Sequence, residues 1–165
     1  MGRAMPVADP AQRPPLILIA DDSDISRALL RRQLIREGFR TLFAEDGARA
    51  ISLAARRRPH LLLLDLRLPD IDGDAVIAHL REEFSAVELP IIVVSGEHDG
   101  EVVAGCLTLG ANDYVTKPIH FPTLQARMHT HLTVQAAHMA MLRSSKPMHE
   151  VIDEVQAHPE RRELN

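Results

Sequence analysis

Three short apolar runs govern what this chain can fold into, because each of them stops on a polar side chain. Leu16 to Ala20 ends at Asp21-Asp22, Leu61 to Leu64 ends at Asp65, and residues 90–94 end at Ser95. Runs that are apolar at successive positions cannot turn one polar face to water, so they predict strands covered on both sides. Two weaker runs, Arg40 to Ala44 and Asp113 to Thr116, fit the same role. Between the runs lie amphipathic segments with helix start and stop signals. Asp24 is the expected N-cap of a helix over residues 24–37 that turns Ile25, Leu29 and Ile35 inward and stops at Gly38. Asp46 opens a second helix to residue 56 with Ala50, Ile51 and Ala54 inward, and Arg56-Arg57-Arg58 closes it with cations that suit the helix dipole. A third, over residues 73–84, carries Val76, Ile77 and Leu80. A fourth, over residues 100–109, ends at Gly110 and is weakened by Gly105, at about 1 kcal/mol relative to Ala.

Strand then helix, five times over, predicts an α/β fold: a (βα)5 doubly wound, five-stranded parallel sheet. The last helix begins near Phe121-Pro122 and meets no stop before Ser144-Ser145. Along it Met128, Leu132, Gln135, Met139 and Leu142 step as a heptad seam. Its first half is expected on the sheet, and its second half either frays or pairs in a coiled coil. Residues 1–15 carry Pro6, Pro10, Pro14 and Pro15 and predict a flexible, extended tail. The division is therefore a tail over 1–15, a domain over 16–134, and over 135–165 an extension of helix five with a polar end.

At 165 residues and 45% apolar, the chain can bury one core of ordinary size. A net charge of −4 argues against a dedicated nucleic-acid binder. The single Cys106 cannot form an internal disulfide, which fits a reducing compartment. No apolar run approaches the roughly 20 residues of a membrane-spanning helix. The expectation is a cytoplasmic protein that binds neither nucleic acid nor membrane directly.

In open parallel sheets, ligands bind beyond the carboxyl ends of the strands, where strand order reverses. Asp21, Asp22, Asp65, Ser95 and Lys117 all fall at such ends. Carboxylates gathered at one edge repel, and a hard divalent cation removes that conflict. Six of the nine histidines follow Ile119, among them His129, His131 and His138. They lack the spacing of a zinc site, no acid is expected to converge on them, and they read as solvated helix positions.

Four segments carry a resemblance. They are Asp21-Asp22; Asp65 followed by Leu66-Arg67-Leu68-Pro69-Asp70-Ile71-Asp72-Gly73; Ser95-Gly96; and Gly110-Ala111-Asn112-Asp113-Tyr114-Val115-Thr116-Lys117-Pro118. Their order and spacing resemble the receiver domain of two-component response regulators, the CheY-like form of the flavodoxin fold, over residues 16–134. The resemblance implies that Asp65 is a phosphoacceptor, charged from the phosphohistidine of a sensor histidine kinase or a phosphotransfer protein. It implies Mg2+ held by Asp22, Asp65 and the backbone carbonyl of Arg67, with Asp21 acting through a bound water. Lys117 would stand by the transferred oxygens, and the Lys117–Pro118 peptide is expected to be cis. Ser95 would bond a phosphoryl oxygen, and Tyr114 would turn as Ser95 moves, reshaping the face of helix four, strand five and helix five. Self-association is expected through that face or through the helix-five extension. On this reading the domain is not a free-standing enzyme, since it catalyses only its own phosphorylation and dephosphorylation. Positioning and charge neutralisation suffice for such transfer.

Arg67 and Glu97, two residues past Asp65 and Ser95, flank the same pocket. Either they pair and screen an acyl phosphate from water, or each is solvated independently. Only about 20–25 residues follow helix five, too few for an output domain. The chain then acts through its extension, or it regulates an output outside itself, such as a cyclic-dinucleotide enzyme or a kinase module. A protein-interaction module without phosphorylation is the further alternative, which the complete residue set opposes. A haloacid-dehalogenase-like phosphatase would need a second acid where Arg67 stands, and no P-loop segment is present.

Overall fold

Alternation along the strands decides which helix covers which face of the sheet. A computed structural model describes residues 13–145, so residues 1–12 of the expected tail and the polar end over 146–165 lie outside the described residues. The elements are β1 (Leu16–Ala20), α1 (Asp24–Arg36), β2 (Arg40–Ala44), α2 (Gly47–Arg57), β3 (Leu61–Leu64), α3 (Gly73–Glu83), β4 (Ile91–Ser95), α4 (Gly100–Leu109), β5 (Asp113–Thr116) and α5 (Phe121–Ser144). All strand pairs are parallel, in the order β2-β1-β3-β4-β5. This is the expected five-stranded doubly wound architecture with its long last helix.

Successive side chains of a strand point to opposite faces. Leu18, Leu62, Leu64 and Val93 therefore join Ala50, Ala54, Ile77 and Leu80 under α2, α3 and α4. Ile17, Ile19, Leu63 and Ile92 join Leu30, Leu34, Leu124 and Met128 under α1 and α5. Each fully buried Leu or Ile contributes about 1.5–3 kcal/mol relative to exposure, so the two-sided core dominates stability. β4 lies one residue later than expected. Pro90 has no N–H for the ladder, although its carbonyl still accepts from Leu62 N at 2.9 Å, and Ser95 pairs in register with Thr116.

α1 corrects the sequence reading twice. Ser23, in extended conformation, is the N-cap and accepts from Ser26 N, while Asp24 is the first helical residue. The inward stripe is Leu30 and Leu34, whereas Ile25, Leu29 and Ile35 are 74%, 61% and 50% exposed. The phase is set by Arg27, whose Nη1 donates to the Asp21 carbonyl at 2.5 Å. Turning Arg27 inward places Leu30 and Leu34 on the sheet, one and two turns on. In α5, Met128, Leu132 and Gln135 are buried on the sheet, and Gln135 Nε2 donates to the Glu88 carbonyl at 2.8 Å. Met139 and Leu142, the rest of the seam, are exposed.

Candidate functional site

β1 and β3 lie side by side, and the chain leaves β1 for β2 on one flank and β3 for β4 on the other. That divergence opens the carboxyl edge where Asp21 and Asp65 emerge. One carboxylate oxygen from each of Asp21, Asp22 and Asp65 lies within 4.8 Å of the others. Asp21 is buried; its Oδ1 accepts from Ser23 N at 2.8 Å and its Oδ2 from Lys117 Nζ at 2.9 Å. Asp65 Oδ2 accepts from the same ammonium at 2.7 Å, and its Oδ1 accepts from Arg67 N at 3.0 Å. Burial works against the charge on Lys117, but its bonds to Asp65 and Asp21 outweigh that and hold the ammonium above its ordinary pKa. The Lys117–Pro118 peptide is cis, and Lys117 N donates to the Ser95 carbonyl at 2.8 Å, joining the ends of β4 and β5.

Three carboxylates thus face one ammonium, a surplus of two negative charges on hard oxygen donors. That donor set fits a divalent cation such as Mg2+, which removes the repulsion without new protein groups.

Ser95 is buried at the end of β4, and its Oγ accepts from Glu97 N at 3.3 Å. The half-buried Tyr114 donates its hydroxyl to the Glu97 carbonyl at 2.9 Å, and burial raises the phenol pKa. Arg67 Nη2 pairs with Glu97 Oε1, so the two residues do pair across the loops after β3 and β4. Cys106 is buried below these loops. Burial, with a bond to Asp74, pushes its thiol up to about 11, which leaves it a poor nucleophile at neutral pH.

Sequence reasoning missed the residues that hold the loop after β3. Asp70 caps α2 from a distance, accepting from Gly47 N at 2.7 Å and Ala48 N at 2.8 Å, and these bonds lower its carboxyl pKa. Gly73 is needed for close approach, since a Cβ there would stand 2.7 Å from Leu66 Cα and 3.0 Å from the Asp65 carbonyl oxygen. The histidine expectation also needs correction. His131 Nε2 lies 3.2 Å from Asp113 Oδ2, and Arg127 donates to Asp113 Oδ1 at 2.5 Å, so an acid from β5 does meet α5. No local signal pairs residues so far apart. The site residues Asp21, Asp22, Asp65, Ser95 and Lys117 needed only their place at strand ends.

Comparison with known proteins matches residues 17–129 to the family model described as "Response regulator receiver domain". The KDP operon transcriptional regulatory protein KdpE of Escherichia coli (strain K12) is 40% identical over 121 residues, covering 73% of this chain and 52% of that protein. The chain spans about half the length of the curated relatives it matches. Among solved structures, the BeF3-activated N-terminal receiver domain of Klebsiella pneumoniae RstA superposes with a TM-score of 0.67 at 28% identity, covering 71% of this chain and 97% of that one. A chain described as a "probable two-component system response regulator/GGDEF domain protein" superposes with a TM-score of 0.69 at 30% identity, covering 74% of this chain and 50% of its own. Among the described residues, no helix is long and apolar enough to cross a membrane.

Proposed function

The chain belongs to the response regulator receiver family, and from that premise we propose that Asp65 accepts a phosphoryl group from a histidine kinase or phosphotransfer protein in the cytoplasm. The observation that carries this reading is the Lys117 ammonium bridging Asp21 and Asp65 inside the three-carboxylate cluster. Asp65 is the nucleophile: each of its oxygens accepts one bond and keeps a lone pair for attack on phosphorus. Lys117 orients that carboxylate and offers positive charge to the transferred oxygens. Asp22, Asp65 and the Arg67 carbonyl would hold Mg2+, with Asp21 beside them through water. When bound, the ion supplies charge neutralisation between the carboxylates and the incoming phosphoryl group.

Ser95 and Tyr114 are the switch pair. Ser95 meets the added charge first, and Tyr114 is linked to it through Glu97, which bonds Ser95 by its N–H and Tyr114 by its carbonyl. A local charge change thereby biases the face of α4, β5 and α5. The output is self-association through that face or the exposed end of α5, or control of a module outside this chain. The test is exposure to Mg2+ and a small acyl-phosphate donor, followed by intact mass and size in solution. One added phosphoryl group is expected, and it disappears in Asp65→Asn. A wild-type chain that stays unmodified overturns the reading, and modification without change of size removes self-association.

A further inference from the structure

Lys117 pins two of the three acids at the carboxyl edge, since its ammonium bonds both Asp21 and Asp65. The third has no such hold. Asp22 is exposed, and among the described residues no side chain or N–H bonds its carboxylate. Its aim at the other two acids therefore depends on the backbone that carries it. Asp21 N donates to the Ala44 carbonyl at 3.1 Å, and Ser23 N donates to Asp21 Oδ1 at 2.8 Å, which closes a turn around Asp22. One further bond comes from outside the turn: Arg27 Nη1 donates to the Asp21 carbonyl at 2.5 Å. That carbonyl and the Asp22 N–H belong to one planar peptide group, so a bond to its oxygen sets the tilt of Asp22. Arg27 is itself held. Its side chain is only 15% exposed, and its Nη2 pairs with Asp24, the first residue of α1. The planar guanidinium thus spans two fixed points, a carbonyl before the helix and a carboxylate within it.

We infer that Arg27 is a positioning residue for the cation site, aiming the Asp22 carboxylate at Asp21 and Asp65 by holding the Asp21–Asp22 peptide. The inference rests on the Mg2+ and phosphoacceptor reading of that site. Charge and geometry act here with opposite signs. A guanidinium beside a cation site repels the cation, so losing its charge alone tightens binding. Losing its geometry loosens binding, because Asp22 is then free to turn toward water. Geometry governs, since Asp24 already offsets the charge of Arg27, whereas the Asp21 carbonyl has no second partner among the described residues.

The test titrates Mg2+ against the thermal midpoint and against the rate of phosphoryl uptake from a small acyl phosphate. It compares wild type, Arg27→Met, Arg27→Lys, Asp22→Asn, and Arg27→Met combined with Asp22→Asn. Arg27→Met is expected to raise half-saturating Mg2+ about tenfold in both titrations, while uptake at saturating Mg2+ stays near the wild-type rate. Arg27→Lys keeps the charge but not the planar fork, and is expected to fall between the two. In the combined variant the Arg27 change should add nothing to Asp22→Asn, because the carboxylate it aims is gone. A merely structural role lowers the metal-free midpoint and leaves half-saturating Mg2+ unchanged, and that outcome overturns the inference. Tighter Mg2+ binding in Arg27→Met, the result of charge alone, overturns it too, as does an Arg27 effect of equal size with and without Asp22. If Arg27→Met does not fold, Arg27→Lys decides by whether its half-saturation rises. A wild type that neither responds to Mg2+ nor takes a phosphoryl group overturns the underlying reading instead.

Discussion

The two ends of the parallel sheet both gather polar side chains, but they finish them in opposite ways. At the amino end, the buried and half-buried donors meet fixed acceptors. Arg81 Nε donates to the Gly110 carbonyl at 2.9 Å, Nη1 to the Leu89 carbonyl at 3.0 Å, and Nη2 to Asn112 Oδ1 at 3.0 Å. Asn112 Oδ1 also accepts from Ile91 N, and its Nδ2 donates to the Ala86 carbonyl. Leu16 N finds His60 Nδ1 at 3.0 Å. These bonds sew the turns before β4 and β5 to α3 and to each other, and the start of β1 to the turn before β3. At the carboxyl end, like charges are brought together and one lysine is left to reconcile them. Bonds to backbone groups stabilise the amino end, whereas the carboxyl end keeps the surplus charge that the proposed cation and phosphoryl group would use.

The strongest way to break the comparison is Arg81→Ala. Removing a partly buried guanidinium orphans several carbonyls and is expected to cost about 2–4 kcal/mol in chemical denaturation, while the folded fraction still takes up phosphoryl groups. Loss of phosphorylation at full folding would show that the two ends are coupled rather than distinct.

A smaller effect is expected at the opposite end, with its sign reversed. Asp22→Asn removes one of the crowded carboxylates, so without metal it should match or slightly exceed wild-type stability, within about 1 kcal/mol. Excess Mg2+ should stabilise wild type by about 1–3 kcal/mol and the variant by much less. Thermal melts with and without Mg2+ read both, and equal metal responses would remove Asp22 from the cation set.

The smallest effect sharpens the amino end. Burial, reinforced by the charge of Arg40, lowers the pKa of His60 below its ordinary 6.5, because the folded chain favours the neutral ring. The unfolded chain therefore binds the proton more readily, and stability drops as pH falls below 6.5 through the lower folded value. Urea midpoints between about pH 7.5 and 5.5 should decline in wild type and flatten in His60→Gln.

Much of this molecule was legible in its sequence, for a physical reason. A strand buried on both faces must be apolar throughout, so its end is marked by the first polar residue. In a parallel sheet those ends share one edge. Leu16 to Ala20 and Leu61 to Leu64 thereby placed Asp21 and Asp65 together, and residues 90–94 and 113–116 brought Ser95 and Lys117 to the same edge. Only the tertiary structure decided the phase of α1, where Arg27 bonds the Asp21 carbonyl and leaves Ile25 and Leu29 to solvent. It likewise decided that Asp70 caps α2, that Arg81 closes the amino end, and that Arg67 reaches Glu97 rather than water. Each of these joins residues that share no local pattern. Periodicity reports which way a residue faces, but a side chain's partner depends on which loops packing has brought within its reach.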